Sequence, residues 1–454
     1  MSCDNHPGMS NTSPNDPQTT PPPSLDPILA EVSERLLNDA LFAPIRDIVE
    51  TAGITRQCPS LDDMTFATLC VLRVLHASKT GRDFLQTHGI PFCPELTRGS
   101  YFKNLSSKRR LKFMRELAGH LNRTYLPILR AADDLLASFR ELDGWQVWAA
   151  DGHKISHATH DARNAKDQYA PVNAIYRLEM RTGYAEFLTF CEPTARGVEH
   201  EIKALKGVAP AVLRCGAAKG QSTLLVYDRA IVDFRYAYNL KQSKSVYVLT
   251  QWKANLAPMT TMPRAFDADH PANRLVISDE TVLFNNTPGT WRKITSRGAD
   301  SDEIYITLTN ELTLPPGVLS EVYRLRWNIE KVFDQQEQKL DEGKAWATSD
   351  TAKEIQVIAI CLAHNLLQIL KTTLKAEEGI EDTKVIKAYH RELDRREEAA
   401  RKASRVFPRA LYQALYRPTE LSLQFIRWLR VHLTRGTCYR AALALLRPLM
   451  LKYI

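Results

Sequence analysis

The spacing of apolar residues changes twice along this 454-residue chain, and that change is the strongest constraint on its fold. From about residue 26 to 142, apolar residues recur at i, i+3, i+4 and i+7, the pattern of amphipathic helices. From 143 to about 312, short apolar runs predict strands, with two helices among them at about 199–207 and 233–241. After about residue 316 the helical pattern returns. This order predicts a multidomain α/β protein with helical regions on either side of a sheet.

The two ends of the chain differ from its middle in composition. Residues 1–25 are rich in Pro, Ser, Thr and Asn and nearly free of large apolar groups, so they predict a disordered tail. Residues 376–454 predict a basic helical region. Its last 74 residues hold 16 Lys and Arg against 7 Asp and Glu, an excess larger than the net charge of +8 for the whole chain. A polyanionic partner or a second subunit is the expected counterpart of such a region.

Several classes of protein are disfavoured by composition. There is no uninterrupted apolar run of about 18 residues and no signal-peptide pattern, so we expect a cytoplasmic protein without a membrane partner. The eight cysteines form no CxxC pair, which predicts free and mostly buried thiols. With 44% hydrophobic and 25% charged residues, the chain has the composition of an ordinary globular protein.

A basic segment lies within the first helical region, in the run RGSYFKNLSSKRRLKFMREL. Its positive side chains, Arg109 and Arg110 among them, are candidates for binding DNA phosphates, because Lys and Arg supply most of the affinity for DNA that is independent of sequence. The alternative is a solvated basic face of a helix, which the pattern allows equally well.

Two aspartates directly follow predicted strands. Asp151 comes after WQVWAA and Asp228 comes after STLLVY. A carboxylate at the end of an apolar strand is held at the rim of a sheet, where a metal and a substrate can approach it. Aspartate also begins turns and caps helices, so neither residue alone establishes a catalytic site.

A predicted helix from about residue 316 to 340 carries a polar face. At about 100° per residue, Tyr323, Arg326, Glu330 and Asp334 fall within about 80° of one another. On its own this pattern also fits a surface helix with salt bridges between residues four apart.

These features together resemble a known family. The run Tyr323-x-x-Arg326-x-x-x-Glu330 resembles the Tyr-Arg-Glu-Lys signature of bacterial insertion-sequence transposases of the DDE type. The blocks VWAADGHK and LLVYDRAIVDFRYAYNLKQ resemble the two Asp-bearing blocks of that family and stand in the family's order. The resemblance covers about residues 144–370.

The resemblance implies a ribonuclease-H-like core interrupted by a β-rich insertion. The core would comprise residues 143–253 and 313–375, with the insertion at 254–312 between them. Residues 26–142 would then form a helical domain that binds the ends of the element. The implied partners are DNA, as terminal inverted repeats and as target, and a second copy of the chain in the synaptic complex.

The resemblance also implies residue roles. Asp151, Asp228 and Glu330 would be the catalytic ligands of two Mg²⁺ or Mn²⁺ ions, which suit oxygen ligands and serve phosphodiester cleavage and strand transfer. Tyr323 and Arg326 would contact DNA phosphate near the scissile bond. Further candidates for contact with DNA are Arg229 and Lys344.

One position departs from the family signature. Seven residues after the glutamate, where the family has lysine, this chain has Glu337. On a continued helix Lys339 would point away, whereas Lys344 would return to the face of Tyr323. A catalytically impaired, domesticated DNA-binding protein is therefore the alternative to an active transposase.

Three other interpretations have less support. His153, His157 and His160 follow Asp151 and could imitate a zinc site, although solvated or hydrogen-bonded histidines are the commoner case. Trp291 is a candidate for stacking on a flipped base, against the simpler interpretation of packing. A two-carboxylate glycosidase would leave Arg326 and the order of the blocks unexplained.

Overall fold

The computed structural model describes most of the chain between residues 37 and 407. The described ranges are 37–55, 61–76, 80–90, 93–132, 134–161, 172–194, 197–228, 233–298, 303–326, 329–330, 344–377 and 383–407, with single residues at 409, 432, 441, 444 and 445. The predicted tail, Arg229, Glu337, Lys339 and nearly all of the predicted helices after residue 410 lie outside these ranges.

Helices occupy the N-terminal part of the described chain, where helical periodicity predicts them. The turn between α4 and α5 contains Ser106, and threonine side chains cap the two helices that follow Thr80 and Thr97. The five helices are α1 (Leu37–Ala52), α2 (Asp63–His76), α3 (Gly81–Phe84, continued by a π-helical turn at Leu85–Gly89), α4 (Arg98–Leu105) and α5 (Lys108–Ala132).

A nine-stranded sheet follows, in the order β3-β2-β1-β6-β7-β11-β10-β9-β8. β1 is parallel to β6 and β6 to β7, while all other neighbours are antiparallel. The strands are β1 (Trp145–Ile155), β2 (Val172–Glu179), β3 (Tyr184–Cys191), β6 (Ser222–Tyr227), β7 (Val246–Gln251), β8 (Thr260–Pro263), β9 (Val276–Leu283), β10 (Trp291–Arg297) and β11 (Ile304–Thr309). Two short strands, β4 (Pro193–Thr194) and β5 (Gly197–Val198), pair separately.

Helices make the connections between the parallel strands and cover both faces of the sheet. The helices are α6 (Glu201–Lys206), α7 (Pro210–Leu213), α8 (Phe234–Lys244), α9 (Pro316–Leu325), α10 (Asp350–Glu377) and α11 (Thr383–Lys402). Along β1 successive side chains point to opposite faces. Trp148 and Ala150 lie in the core with α2, α5, α6 and most of α10, whereas Val147 and Ala149 lie in the core with α9.

Helix α10 forms the centre of the first core. It is long and apolar enough to cross a membrane, but 89% of its most apolar stretch is buried inside the protein, which fits a core helix. Within the helix, Asn365 binds the backbone of β3: its Oδ1 accepts from the N–H of Ala185 at 2.9 Å and its Nδ2 donates to the carbonyl of Ala185 at 2.8 Å. The side chain of Asn365 therefore supplies hydrogen-bond partners for both backbone groups of one residue in this edge strand.

The beginning of α9 fits closely against a 3₁₀ turn at Pro271–Leu275. A Cβ on Gly317 would overlap the carbonyl group of Ala272 and lie 2.8 Å from the nitrogen of Asn273. The N–H of Gly317 donates to Oδ1 of Asn273 at 2.8 Å. Only glycine allows this approach, so the position of α9 depends on this contact.

The strands and the two short helices predicted between residues 143 and 312 are confirmed, and the last four strands extend the same sheet through the pairing of β11 with β7. The long helix predicted from about 316 to 340 differs. Helix α9 ends at Leu325, and i to i+3 hydrogen bonds at Arg326 tighten the chain before the helical residues Ile329 and Glu330. Residues 331–343 lie outside the described ranges.

Candidate active site

The two predicted aspartates lie side by side on neighbouring parallel strands. The pairing of β1 with β6 ends at the pair Ala150 and Tyr227, so Asp151 and Asp228 occupy the next register position. The prediction that Asp151 ends its strand was wrong in detail, because β1 continues to Ile155 against β2. At Asp151, β1 instead no longer has β6 as its parallel neighbour. The part of the sheet that carries Asp151 and Asp228 is called the acidic edge below.

Arg326 connects the acidic edge to the segment after α9. Its guanidinium donates to Oδ2 of Asp151 at 3.0 Å and to Oε1 of Glu330 at 2.8 Å. The side chain of Arg326 is 7% exposed, against 38% for Glu330. The arginine therefore places its positive charge between two carboxylates that are 179 positions apart in the sequence.

Tyr323 belongs to the same arrangement. Its ring centre lies 5.8 Å from the guanidinium carbon of Arg326. Burial raises the pKa of the Tyr323 hydroxyl, Arg326 opposes the rise, and Asp228 and Glu330 add to it. Tyr323, Arg326 and Glu330 thus lie together beside Asp151, although the regular helix that predicted this ends at Leu325 and Asp334 lies outside the described ranges.

The carboxyl group of Asp151 is perturbed by this environment. Burial, the largest effect, raises its pKa to about 6. The charge of Arg326 and the N–H of Gly152, 2.9 Å from Oδ1, oppose the rise in pKa, whereas Glu201 and Asp228 add to it. An acidic group held at a raised pKa in a cleft with other charges is typical of functional sites.

The acidic edge offers oxygen ligands, and hard divalent cations prefer these. In the described residues, however, no three His, Cys, Asp or Glu side chains are close enough to hold a metal together. Arg326 occupies the space between Asp151 and Glu330 and supplies the positive charge there. The residue types fit a divalent cation, provided that Arg326 moves aside to admit it.

The basic segment of α4 and α5 needs a correction. Arg110 is fully buried, where it pairs with Asp63 and the carbonyl of Leu61, so it presents no charge to a DNA phosphate. Arg109 is 38% exposed and also binds Asp63, at 2.8 Å. Its neighbours Lys103 and Lys108 are exposed.

Lys344 is also placed differently from the prediction. It forms a parallel β-bridge with Ser156 and so does not continue a helical face from Tyr323. Ser156, which forms this bridge, follows Asp151 by five residues along the chain. Lys344 is exposed there, about 16 Å along the extended chain from Asp151.

The remaining candidates are packed or unsupported. Trp291 is 2% exposed and packs edge-on against Phe234, which confirms the packing interpretation over base stacking. No metal cluster is formed by the histidines after Asp151 within the described chain. The described cysteines are free thiols, as predicted.

Comparison with known proteins gives the class to which this fold and site belong. Residues 145–366, which include Asp151, Asp228 and Glu330, match the family model described as "Transposase DDE domain". The match covers just under half of the chain, and residues 145–366 are therefore similar to the DDE domain of transposases.

A particular relative is a putative transposase, y4zB, of Sinorhizobium fredii (strain NBRC 101917 / NGR234). It is 26% identical to this chain over 149 residues, which are 32% of this chain and 41% of the relative. The chain thus matches less than half of that relative's length.

One acidic residue near the site was not predicted from the sequence. Glu201, in the first turn of α6, contributes to the raised pKa of Asp151. In the sequence it is an ordinary glutamate at a helix start. The signal that accompanies it is Gly152, directly after Asp151, whose missing side chain leaves room for the carboxylate of Glu201.

Proposed function

We propose that this chain is a DNA transposase that uses divalent cations to cut DNA at the ends of an insertion element and to join those ends to target DNA. The observation that carries the proposal is the convergence of Asp151, Asp228 and Glu330 around Arg326, within the segment that matches the family.

We propose further that the core is ribonuclease-H-like. Three antiparallel strands, β1 to β3, followed by two strands parallel to β1, β6 and β7, support this assignment. In this interpretation β8 to β11 form the insertion between the last core strand and the glutamate-bearing segment. Ligands of open sheets of this type bind outside the ends of the parallel strands, where Asp151 and Asp228 lie.

The roles of the residues follow from their positions. Asp151, Asp228 and Glu330 would hold Mg²⁺ or Mn²⁺, which when bound would activate the attacking oxygen and stabilise charge on the leaving oxygen. Arg326 keeps the acidic edge neutralised before that. Once displaced, its planar guanidinium is suited to two hydrogen bonds with one phosphate, and the hydroxyl of Tyr323 lies beside it.

Arg326 also sets the condition for activity. Its bonds to Asp151 and Glu330 must break before a cation can be shared by these carboxylates. An incoming DNA phosphate offers the guanidinium another anionic partner, so binding of DNA and binding of the cation favour each other. We propose the synaptic complex as a dimer, because two element ends have to be brought together.

A second candidate function is a transposase-derived DNA-binding protein that no longer cuts. Two features favour it: glutamate stands at position 337 in place of the signature lysine, and Arg326 fills the space between the carboxylates. The two candidate functions predict different results in one measurement, because only the first predicts a metal-dependent nick in DNA.

A nicking assay tests the proposal. We expect the wild-type chain to nick supercoiled DNA that carries the element ends when Mg²⁺ or Mn²⁺ is present, and Asp151→Asn, Asp228→Asn and Glu330→Gln each to lose at least about 100-fold of the rate, since every one removes a cation ligand. Asp143→Asn is the matched control, because Asp143 is exposed and precedes β1. If DNA is bound but never nicked by the wild type, the second candidate is correct.

A further inference from the structure

Glu201 lies beside the acidic edge although its helix is on the other face of the sheet. Helix α6 packs in the core that contains Trp148 and Ala150, through Ala204 and Leu205. Asp151 points to the opposite face, toward Arg326. A carboxylate from α6 can approach Asp151 only by passing over the backbone of β1.

Gly152 provides that passage. A Cβ on Gly152 would overlap Oε1 of Glu201 and lie 2.8 Å from its Cδ. The carboxylate therefore occupies the space in which any other residue would place its side chain. Its charge contributes to the raised pKa of Asp151, the residue next to Gly152.

A second oxygen points into the same space. Asn173 on β2 is 4% exposed, and its Nδ2 donates to Sγ of Cys191 at 3.5 Å. Its Oδ1 is buried, has no hydrogen-bond partner among the described residues and lies 3.2 Å from the Cβ position of Gly152. A buried polar oxygen without a donor is costly, unless a ligand satisfies it.

No positive side chain in the described chain pairs with Glu201, whereas Glu199, two residues earlier, pairs with Lys203 at 3.3 Å. The carboxylate of Glu201 and the amide oxygen of Asn173 thus both lie beside Gly152. Carboxylate and amide oxygens are the ligands that Mg²⁺ and Mn²⁺ accept.

We propose that Glu201 is a fourth carboxylate of the divalent-cation site, which reaches Asp151 across Gly152 from the opposite face of the sheet and acts with Oδ1 of Asn173. The inference rests on the proposed function, because it assigns a further residue to the same cation-dependent chemistry.

Calorimetric titration of Mn²⁺ into the full chain, without DNA, tests the proposal independently of cleavage. We expect Glu201→Gln to weaken Mn²⁺ binding about 10- to 100-fold, the range found when a supporting group of a metal site is removed. Glu199→Gln is the matched control: it lies in the same segment, and its carboxylate is engaged by Lys203 and the N–H of Glu192. We expect its Mn²⁺ affinity to equal that of the wild type.

Gly152→Ala gives a second route to the same answer. The added methyl group should push the carboxylate of Glu201 away without changing its charge, and so weaken Mn²⁺ binding to a similar extent. Because both changes remove one interaction, the double variant with Glu201→Gln should lose no more than either single variant. Losses that multiply would mean that Gly152 and Glu201 act separately, and would overturn the proposal.

The outcomes also distinguish this inference from the proposed function. If the wild type binds no Mn²⁺ either alone or together with DNA that carries the element ends, the proposed function fails. If Asp151→Asn abolishes binding while Glu201→Gln leaves it unchanged, the proposed function stands and the fourth carboxylate is wrong. Unfolding temperatures measured in EDTA identify a variant that has lost its fold. If Glu201→Gln has lost its fold, the Mn²⁺ affinity of Gly152→Ala tests the proposal in its place.

Discussion

At the scale of single residues, the acidic edge is held by one arginine. Arg326 faces Asp151 and Glu330 at hydrogen-bonding distance, yet the pKa of Asp151 remains raised to about 6 because burial outweighs the attraction. The ionised carboxylate is therefore a cost to the fold when no cation is bound. A site that is unfavourable when empty gains more from binding its ligand.

Because the ionised carboxylate of Asp151 destabilises the fold, Asp151→Asn is predicted to change the free energy of unfolding. A carboxyl whose pKa is raised on folding contributes stability below its unfolded pKa of 3.8, and this stability is lost as the pH rises through about 6. Asparagine does not ionise, so in EDTA the variant should have a higher free energy of unfolding than the wild type at pH 8, by on the order of 2 kcal/mol, and an equal one below pH 4. Denaturant titrations across this pH range measure it, and Asp143→Asn should show no such difference.

Parallel curves for Asp151→Asn and the wild type from pH 4 to 8 would contradict this prediction. They would mean that the carboxyl of Asp151 keeps an ordinary pKa in the folded protein and that Arg326 fully compensates its burial.

The sequence predicted the residues that repeat a local pattern and missed those defined by distant contacts. Asp151 and Asp228 were recognised because each follows an apolar strand within a block that resembles the transposase family. Burial of Arg110 depends on Asp63, 47 positions earlier, and no local charge pattern reveals that pairing. The contact of Glu201 with Gly152 likewise crosses the sheet. The predicted metal ligands stay predictions until a cation is measured.

At the scale of elements, the edge strand β3 is protected by a helix. An unpaired strand edge exposes N–H and C=O groups, and Asn365 of α10 binds both groups of Ala185. His364 adds a bond from Nε2 to the carbonyl of Gly183 at 2.9 Å. Helix α10 therefore holds the sheet by hydrogen bonds as well as by apolar packing. Helical periodicity in the sequence predicts the apolar packing but not the hydrogen bonds.

Asn365→Ala should lower the free energy of unfolding by about 2 to 4 kcal/mol, because it leaves a buried N–H and a buried C=O of Ala185 without partners. Thr373→Ala is the control on the same helix: Thr373 is an exposed residue whose hydroxyl binds the carbonyl of Ile369, so we expect a change within about 0.5 kcal/mol. Chemical denaturation measures both. Equal effects would show that β3 does not depend on the amide of Asn365.

Helical periodicity also failed at one element for a physical reason. It treats residues 316–340 as a single regular helix, whereas the chain tightens at Arg326, where the guanidinium turns toward Asp151. An extrapolated helical face cannot then locate residues farther on, and Lys344 is found in a bridge with Ser156. Of the predicted polar face, Tyr323, Arg326 and Glu330 lie within the described ranges and Asp334 does not.

At the scale of the whole molecule, Ser106, Lys103 and Lys108 lie close to the start of α10 and are called the basic corner. Ser106, between α4 and α5, contacts Ser349 at 3.2 Å, just after the segment in which Lys344 meets Ser156. The exposed Lys103 and Lys108 flank Ser106. We propose the basic corner as a contact for DNA, because its lysines are exposed and the molecule has a net charge of +8.

We predict that the double variant Lys103→Ala and Lys108→Ala binds DNA more weakly, and that the slope of log affinity against log salt falls by about 2, since each phosphate contact contributes about 0.9. Lys219→Ala with Lys244→Ala removes the same charge from exposed positions elsewhere and should leave the slope nearly unchanged. Fluorescence anisotropy at several salt concentrations measures both. Identical slopes would show that the basic corner does not contact DNA.

The contact of Gly317 with Ala272 has a consequence for the order in which the parts of the acidic edge come together during folding. Residues 271–275 stand between β8 and β9, so α9 has nothing to dock against until that part of the sheet has formed. Asp151 and Asp228 lie earlier in the chain and Glu330 arrives last, on the segment that α9 carries. A nascent or truncated chain is thus expected to lack a complete acidic edge, which would protect the cell's DNA from cleavage by unfinished protein.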